Sequence, residues 1–210
     1  MRAVPVIDIS RGRAEVAREV ARAVEEIGFL VVAGHGVPRP AVPAMRAAAR
    51  ALFARPEEEK AGLSDRAGTL NRGYTPFRSE FNGSTRTNRA PADLREGFIF
   101  GPFDLPDDPY YAAPEAGFAY QDNIWPAGAG ETVAAFKAYY RALEALNVDL
   151  LRIFADALGL PRGFFLDKFD RHASTVRVLH YPAQTEPPEE GQIRCGAHTD
   201  FGSHTILLAD

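Results

Sequence analysis

One cysteine, one tryptophan and two methionines stand in a chain of 210 residues, and each scarcity closes off a class of protein. A single thiol, Cys195, leaves no internal disulfide and fits a reducing cytoplasm, because small disulfide-stapled scaffolds belong to oxidising compartments. No run of about 20 apolar residues occurs, so no segment is expected to span a bilayer. The opening run Met1-Arg2-Ala3-Val4-Pro5-Val6-Ile7-Asp8 puts Pro5 and Asp8 where a signal peptide needs unbroken apolar residues, so no secretory signal is expected. Positive charge is also short: 24 Lys and Arg against 28 Asp and Glu give a net charge of −4. Neither nucleic acid nor an anionic membrane is therefore an expected partner. What is present is ordinary for a soluble globular protein, with 46% apolar and 25% charged residues. Arginine far outnumbers lysine and alanine is abundant, a composition of GC-rich bacterial genomes.

The chain reads as helices first and strands last. Val4–Ile9 is a short β-type run. Glu15–Ile27 carries apolar residues at Val16, Val20, Val24 and Ile27, one face of a helix, and Gly28 is a suitable stop. Phe29–Ala33 reads as a buried strand, and a second helix is expected over Ala41–Ala54. From Leu63 to Trp125 the chain is rich in Gly, Pro, Asn and Asp with scattered aromatics, too long for a plain connector and so an expected covering or binding region. Glu131–Leu158 keeps a 3.6-residue period through Phe136, Tyr139, Leu143, Leu146, Leu150 and Ile153, a long helix ended by Gly159 and Pro161. The period then changes to two. Strands are expected over Thr175–Tyr181, Gln192–Asp200 and Ser203–Leu208. Two regions follow, 1–125 with helices and covering loops and 126–210 with the long helix and the first strands of a sheet, in one structural domain expected to continue beyond Asp210.

The densest chemistry lies in Gly196-Ala-His-Thr-Asp-Phe-Gly-Ser203. On an extended segment residues i and i+2 point to one side, so His198 and Asp200 share a face with Gln192, Arg194 and Gly196. Ile193, Cys195 and Ala197 would form the opposite, core-facing side. A neutral imidazole and a carboxylate together suit a divalent ion such as Fe(II). The bland alternative is a hydrogen-bonded histidine beside a turn-capping aspartate.

The run His198-Thr-Asp-Phe-Gly-Ser-His-Thr-Ile-Leu-Leu208 resembles the first metal motif of the Fe(II)/2-oxoglutarate-dependent dioxygenases of the isopenicillin N synthase-like family. Val4-Pro-Val-Ile-Asp-Ile9 resembles that family's opening strand, and Glu26-Ile-Gly-Phe-Leu-Val-Val-Ala-Gly-His-Gly-Val37 its N-terminal region, with Gly34 where Asn is usual. Gly73-Tyr74, Leu94-Arg-Glu-Gly-Phe98, Asn123-Ile-Trp-Pro126 and Leu179-His-Tyr-Pro182 follow in family order. The resemblance implies a mainly β fold with flanking helices, a double-stranded β-helix (jelly roll) with an N-terminal helical layer, incomplete within 210 residues. It implies a non-haem iron oxygenase that couples 2-oxoglutarate decarboxylation and O2 to hydroxylation, desaturation or cyclisation at a C–H bond of a small molecule. His198 and Asp200 match two ligands of a 2-His-1-carboxylate triad. The second His and the Arg-x-Ser pair that grips 2-oxoglutarate are expected beyond Asp210. Two readings compete: an oxidase that uses no 2-oxoglutarate, and a non-catalytic fragment or homologue.

In the resemblance, the tyrosine before Pro182 reaches into the cleft, so Tyr181 is a candidate contact of the cosubstrate, as is Arg177, a bidentate donor two pleats away. A strand-end tyrosine and a structural ion pair are their plain readings. The run Arg72–Asn88, with Arg72, Arg78, Glu80 and Arg86 among Tyr74, Phe77 and Phe81, is the expected substrate region, with Tyr74, Phe77, Arg78 and Glu80 as its contacts. His204 is expected on a sheet face, Cys195 as a small buried apolar residue, His35 as a structural turn histidine and His172 at the surface. The substrate and the oligomeric state are not written in the sequence.

Overall fold

A computed structural model describes residues 3–65, 71–81 and 91–209. The candidate Arg86 falls outside them. The chain divides into two compact units, one of residues 1–51 and 129–174, the other of residues 52–128 and 175–210. Each unit therefore interleaves early and late segments, where the sequence suggested one cut near residue 125.

The first unit is helical. Strand β1 (Val6–Asp8) pairs in parallel with β2 (Val31–Ala33), and helix α1 (Arg13–Glu26) connects them. Gly28, at φ +79°, turns the chain out of α1, as its lack of a Cβ permits. Helix α2 (Ala41–Phe53) follows, and the long α5 (Gly130–Ala157) packs along α1. Val16, Val20 and Ala23 of α1 meet Ile7 and Ile153 in a buried cluster. Full burial of each such aliphatic side chain contributes about 1.5–3 kcal/mol. Arg13 and Arg162 both pair with Asp156 and tie the ends of these helices. The expected buried strand at Phe29–Ala33 is shorter and more open than its apolar content suggested. Phe29 is 71% exposed, because β2 has a single described partner, on one edge.

The second unit is built on a three-stranded antiparallel sheet in the order β3 (Gly73–Thr75), β4 (Glu96–Phe100), β5 (Val176–His180). Its register sets Tyr74 opposite Phe98, and Phe98 opposite Val178. All five residues of β4 are buried. Phe98, Phe100 and Phe103 close around Trp125 at ring separations of 5.6, 5.6 and 5.9 Å. Asn123 clamps the end of β4, accepting from the Gly101 amide at 2.7 Å and donating to the Pro102 carbonyl at 3.2 Å. Arg72 is buried as well, donating to the carbonyls of Asn71, Ala119 and Gln121. The short helices α3 (Glu57–Ala61) and α4 (Pro109–Ala112) complete the unit.

Among the described residues helix outweighs strand and both sheets are small, a mixed helix and sheet architecture. The expected strands at Gln192–Asp200 and Ser203–Leu208 are extended segments without a ladder. Instead of a partner strand, the first is held by three bonds to the turn before β4. Gln192 Nε2 donates to Ala92 O, Leu94 N to Ile193 O, and Gly196 N to Asp93 Oδ1, at 2.9, 3.1 and 2.9 Å. The second has no described strand beside it, and Leu207 lies exposed. No helix among the described residues is long and apolar enough to cross a membrane.

Candidate metal centre

Strand β5 and the loop after it deliver the chain to the 192–200 segment, where the two candidate ligands converge. His198 Nε2 stands 3.1 Å from Asp200 Oδ1. The other atom of each group is already engaged. His198 Nδ1 lies 2.8 Å from the Gly196 carbonyl oxygen, which can only accept, so Nδ1 is a donor there and Nε2 is the nitrogen left for Asp200 or a metal. Asp200 Oδ2 accepts from the Thr205 hydroxyl at 2.7 Å. Nε2 and Oδ1 thus face one another with the other atom of each group anchored, the orientation that metal-binding histidines and carboxylates are given by surrounding hydrogen bonds. Both groups reach solvent. The donor set fits a divalent cation of Fe(II) character. No third His, Cys, Asp or Glu joins them among the described residues.

The strand parity expected for this segment does not hold. Ile193, assigned to the core side, is 53% exposed, while Gln192 from the supposed open side is buried. Cys195, expected on the face away from His198, is only half-buried, with Sγ 4.0 Å from His198 Nδ1. A bend at Arg194–Cys195 rotates the backbone, and a period of two survives only in a regular pleat. His198 and Asp200 remain together because both lie past the bend.

Arg95, which sequence reasoning passed over, joins the same segment through Cys195. It is 2% exposed at its side chain. Its Nη1 donates to Cys195 Sγ at 3.3 Å, and its Nη2 lies 3.1 Å from Glu80 Oε2 and 3.4 Å from Asp93 Oδ2. It also hydrogen-bonds Tyr181. Burial would lower its pKa, but Glu80, Cys195, Tyr181 and Asp93 outweigh that and hold it raised. Glu80 carries a second cation, Arg177, at 2.7 Å. The two candidate cosubstrate contacts, Arg177 and Tyr181, are therefore both wired to Arg95, Arg177 through Glu80 as an ion pair.

The candidate substrate residues separate into two groups. Phe77 and Arg78 are exposed on a turn, with the Arg78 guanidinium 5.4 Å from the Phe77 ring centroid. Arg78 has φ +59° and donates its amide to Arg95 O, a left-handed conformation that costs a non-glycine residue about 1–2 kcal/mol. Tyr74 is different. It is 2% exposed, and its hydroxyl donates to Glu96 Oε2 at 2.5 Å, so it is a core residue and offers no free surface. Lys60 Nζ and His180 Nδ1 bind the same carboxylate, each at 2.7 Å, and His180 stacks on Phe53. Burial drives the Tyr74 phenol pKa strongly up, with Glu96 adding to it. Burial would raise the Glu96 pKa, but Lys60, Tyr74 and His180 together hold it below the usual carboxylate range. No hydrophobic period marks such a cluster in the sequence. The only signal was charge inside an otherwise apolar run, Arg95-Glu96 before Gly-Phe-Ile-Phe.

The remaining histidines do not approach His198. His204 is half-buried, its pKa lowered by burial, with Nδ1 3.1 Å from Ser203 Oγ. His35 accepts from the Val37 amide in its turn. His172, expected at the surface, is half-buried with Nε2 3.4 Å from Glu144 Oε1.

A family model for the non-haem dioxygenase in morphine synthesis N-terminal region matches residues 4–128. The chain belongs to the non-haem dioxygenase family. Among curated relatives, the chain is 33% identical over 99% of its length to the 2-oxoglutarate-Fe(II) type oxidoreductase hxnY of Emericella nidulans, and covers 61% of that protein. It is 31% identical over 97% of its length to validamycin A dioxygenase of Streptomyces hygroscopicus subsp. limoneus, covering 57% of it. The dioxygenase chain thus spans about 60% of the length of these relatives. A solved structure of a 2OG-Fe(II) oxygenase family protein from Caulobacter crescentus superposes with a TM-score of 0.74 at 26% identity, over 89% of this chain and 58% of that one. A full-length Neurospora crassa protein solved in complex with alpha-KG superposes with a TM-score of 0.73 at 24% identity, over 95% and 62%, a likeness of fold.

Proposed function

We propose that this chain carries part of the active site of a non-haem Fe(II) dioxygenase, which couples the decarboxylation of 2-oxoglutarate and O2 to the oxidation of a C–H bond in a small molecule. The observation that carries the reading is the 3.1 Å approach of His198 Nε2 and Asp200 Oδ1, with the other atom of each group anchored by Gly196 and Thr205. The names of the relatives supply the cosubstrate, 2-oxoglutarate with Fe(II). The complete fold we propose is the double-stranded β-helix. The setting is cytoplasmic, in keeping with a single cysteine.

His198 and Asp200 would hold the iron, with the third ligand in sequence beyond Asp210. When bound, the metal with 2-oxoglutarate and O2 supplies an oxidant able to take hydrogen from an unactivated carbon, with succinate and CO2 as co-products. The chain's own residues bind and orient. Tyr181 and Arg177 face the carboxylates of 2-oxoglutarate. Arg177, paired with Glu80, would offer the cosubstrate a planar donor suited to bidentate carboxylate binding. Phe77, Arg78 and Glu80 form the substrate turn, with Phe77 as the apolar surface. Tyr74 contributes from behind, holding β3 against Glu96.

The test is oxygen-dependent succinate release by the full-length protein with a panel of small metabolites. Asp200→Ala abolishes both Fe(II) binding and turnover. Tight Fe(II) binding retained in that variant sinks the assignment. Turnover without succinate identifies an oxidase that uses no 2-oxoglutarate.

A further inference from the structure

We propose that Asp93 is a positioning residue for the metal centre, acting on His198 through the backbone of one residue, Gly196. The inference rests on the reading of His198 and Asp200 as metal ligands. Gly196 is gripped at both polar ends: its N–H donates to Asp93 Oδ1 at 2.9 Å, and its carbonyl accepts from His198 Nδ1 at 2.8 Å. The two bonds lie on the peptide groups either side of the Gly196 Cα, so Asp93 fixes the residue whose carbonyl holds the imidazole. Metal-binding imidazoles commonly donate their second N–H straight to a carboxylate, which fixes ring orientation and raises ligand basicity. Here a whole residue, Gly196, stands between, and it is buried.

Asp93 is built for this use. Its side chain is 2% exposed and faces Arg95, also 2% exposed, at 3.4 Å. Its Oδ2 has no hydrogen-bond partner among the described residues. The side chain thus spends its one hydrogen bond on Gly196. A buried carboxylate that leaves an oxygen without a hydrogen bond is costly, and a core position needing only volume would take an apolar residue. A carboxylate is a stronger acceptor than a neutral oxygen, so it pins the Gly196 residue, and with it the carbonyl that orients the His198 ring and aims Nε2. Arg95 compensates the charge and links the same frame to Glu80 and Cys195.

The experiment uses Co(II) alone as probe, since its visible absorption reports ligand geometry, titrated into the full-length protein and three variants. Asp93→Ala lowers Co(II) affinity about 10–100-fold and changes the band shape, the range seen when a partner of a metal ligand is removed. Asp93→Asn keeps an oxygen acceptor for the Gly196 amide but not the charge. It retains the band shape and weakens binding more than twofold but by less than about 10-fold. Lys60→Met breaks a buried ion pair elsewhere in the same unit and leaves Co(II) affinity within twofold. Affinity within twofold of the unsubstituted protein in Asp93→Asn overturns the proposal, and that variant decides the matter if Asp93→Ala does not fold. Equal weakening by Lys60→Met overturns it too, since the effect is then general loosening. Failure of the unsubstituted protein to bind Co(II) at all refutes the metal reading itself, and the proposal with it.

Discussion

Lys60→Met is expected to destabilise the protein by about 3 kcal/mol at neutral pH, and the reasoning comes from one buried carboxylate. The Glu96 side chain is 5% exposed and that of Lys60 8%. Breaking a buried ion pair by removing one partner costs about 3–5 kcal/mol, because the survivor is left charged in a poor solvent. Tyr74 and His180 still donate to Glu96 in the variant, which places the cost at the lower end. For a chain of this size a urea slope of roughly 2–3 kcal/mol per molar converts the loss into a midpoint shift of about 1 M. Glu96→Gln strands the ammonium, although Glu57, 3.0 Å from Lys60 Nζ, takes part of its charge. The double variant should therefore cost less than the sum of the two, by about 0.5–3 kcal/mol. The pH dependence has a definite sign. The Glu96 pKa is held below its unfolded value, so its contribution is present above about pH 4.3 and fades as pH falls through the lower folded value. The Lys60 pKa is raised, Glu96 and Glu57 outweighing burial, so its contribution is present below about pH 10.4 and fades as pH rises beyond. The gap between wild type and Lys60→Met is widest between those limits. A midpoint shift under about 0.3 M, or a gap that stays constant down to about pH 2, refutes the argument.

Thr205→Val removes the hydroxyl that donates to Asp200 Oδ2 while keeping its shape; Fe(II) affinity, measured by anaerobic titration, should fall about 10-fold, and an unchanged value shows that the carboxylate needs no anchor. Gly34→Asn introduces the residue more usual in the resembling family, yet it should destabilise. Gly34 has φ +64°, and a Cβ there would lie 2.0 Å from Asp8 Oδ1, the atom that accepts from Ser10. Strain and the displaced carboxylate together cost about 2 kcal/mol, seen as a fall of about 4–8 °C in melting temperature; an unchanged melt contradicts the close approach.

Helices were the legible part of the sequence. Val16, Val20 and Ile153 keep the 3.6 period because each helix buries one stripe, and a stop glycine follows each end. Strand β4 was hidden. It is covered on both faces and begins with Glu96 and Gly97, so neither alternation nor a long apolar run announces it. The approach of His198 to Asp200 was legible because i and i+2 spacing needs little from the rest of the fold. The positions of Cys195 and Ile193 were not, since one bend at Arg194–Cys195 undoes parity for everything before it. Nor was Tyr74 legible as buried: an aromatic in a Gly- and Arg-rich run reads as surface until its hydroxyl finds Glu96.

Arg72 and Gly101 impose a rule on how this chain can drift. The guanidinium lies where a side chain at position 101 would begin, with Nη2 2.2 Å from the position of a Cβ. It cannot retreat without releasing the carbonyls of Asn71, Ala119 and Gln121. Neither position is free to vary by itself. An alanine at 101 becomes tolerable only after Arg72 has given way to something shorter, and that first step leaves three carbonyls unserved. The accessible mutational path between the two states therefore runs through a less stable intermediate. The two positions should be exchanged as a pair when segments of related dioxygenases are recombined.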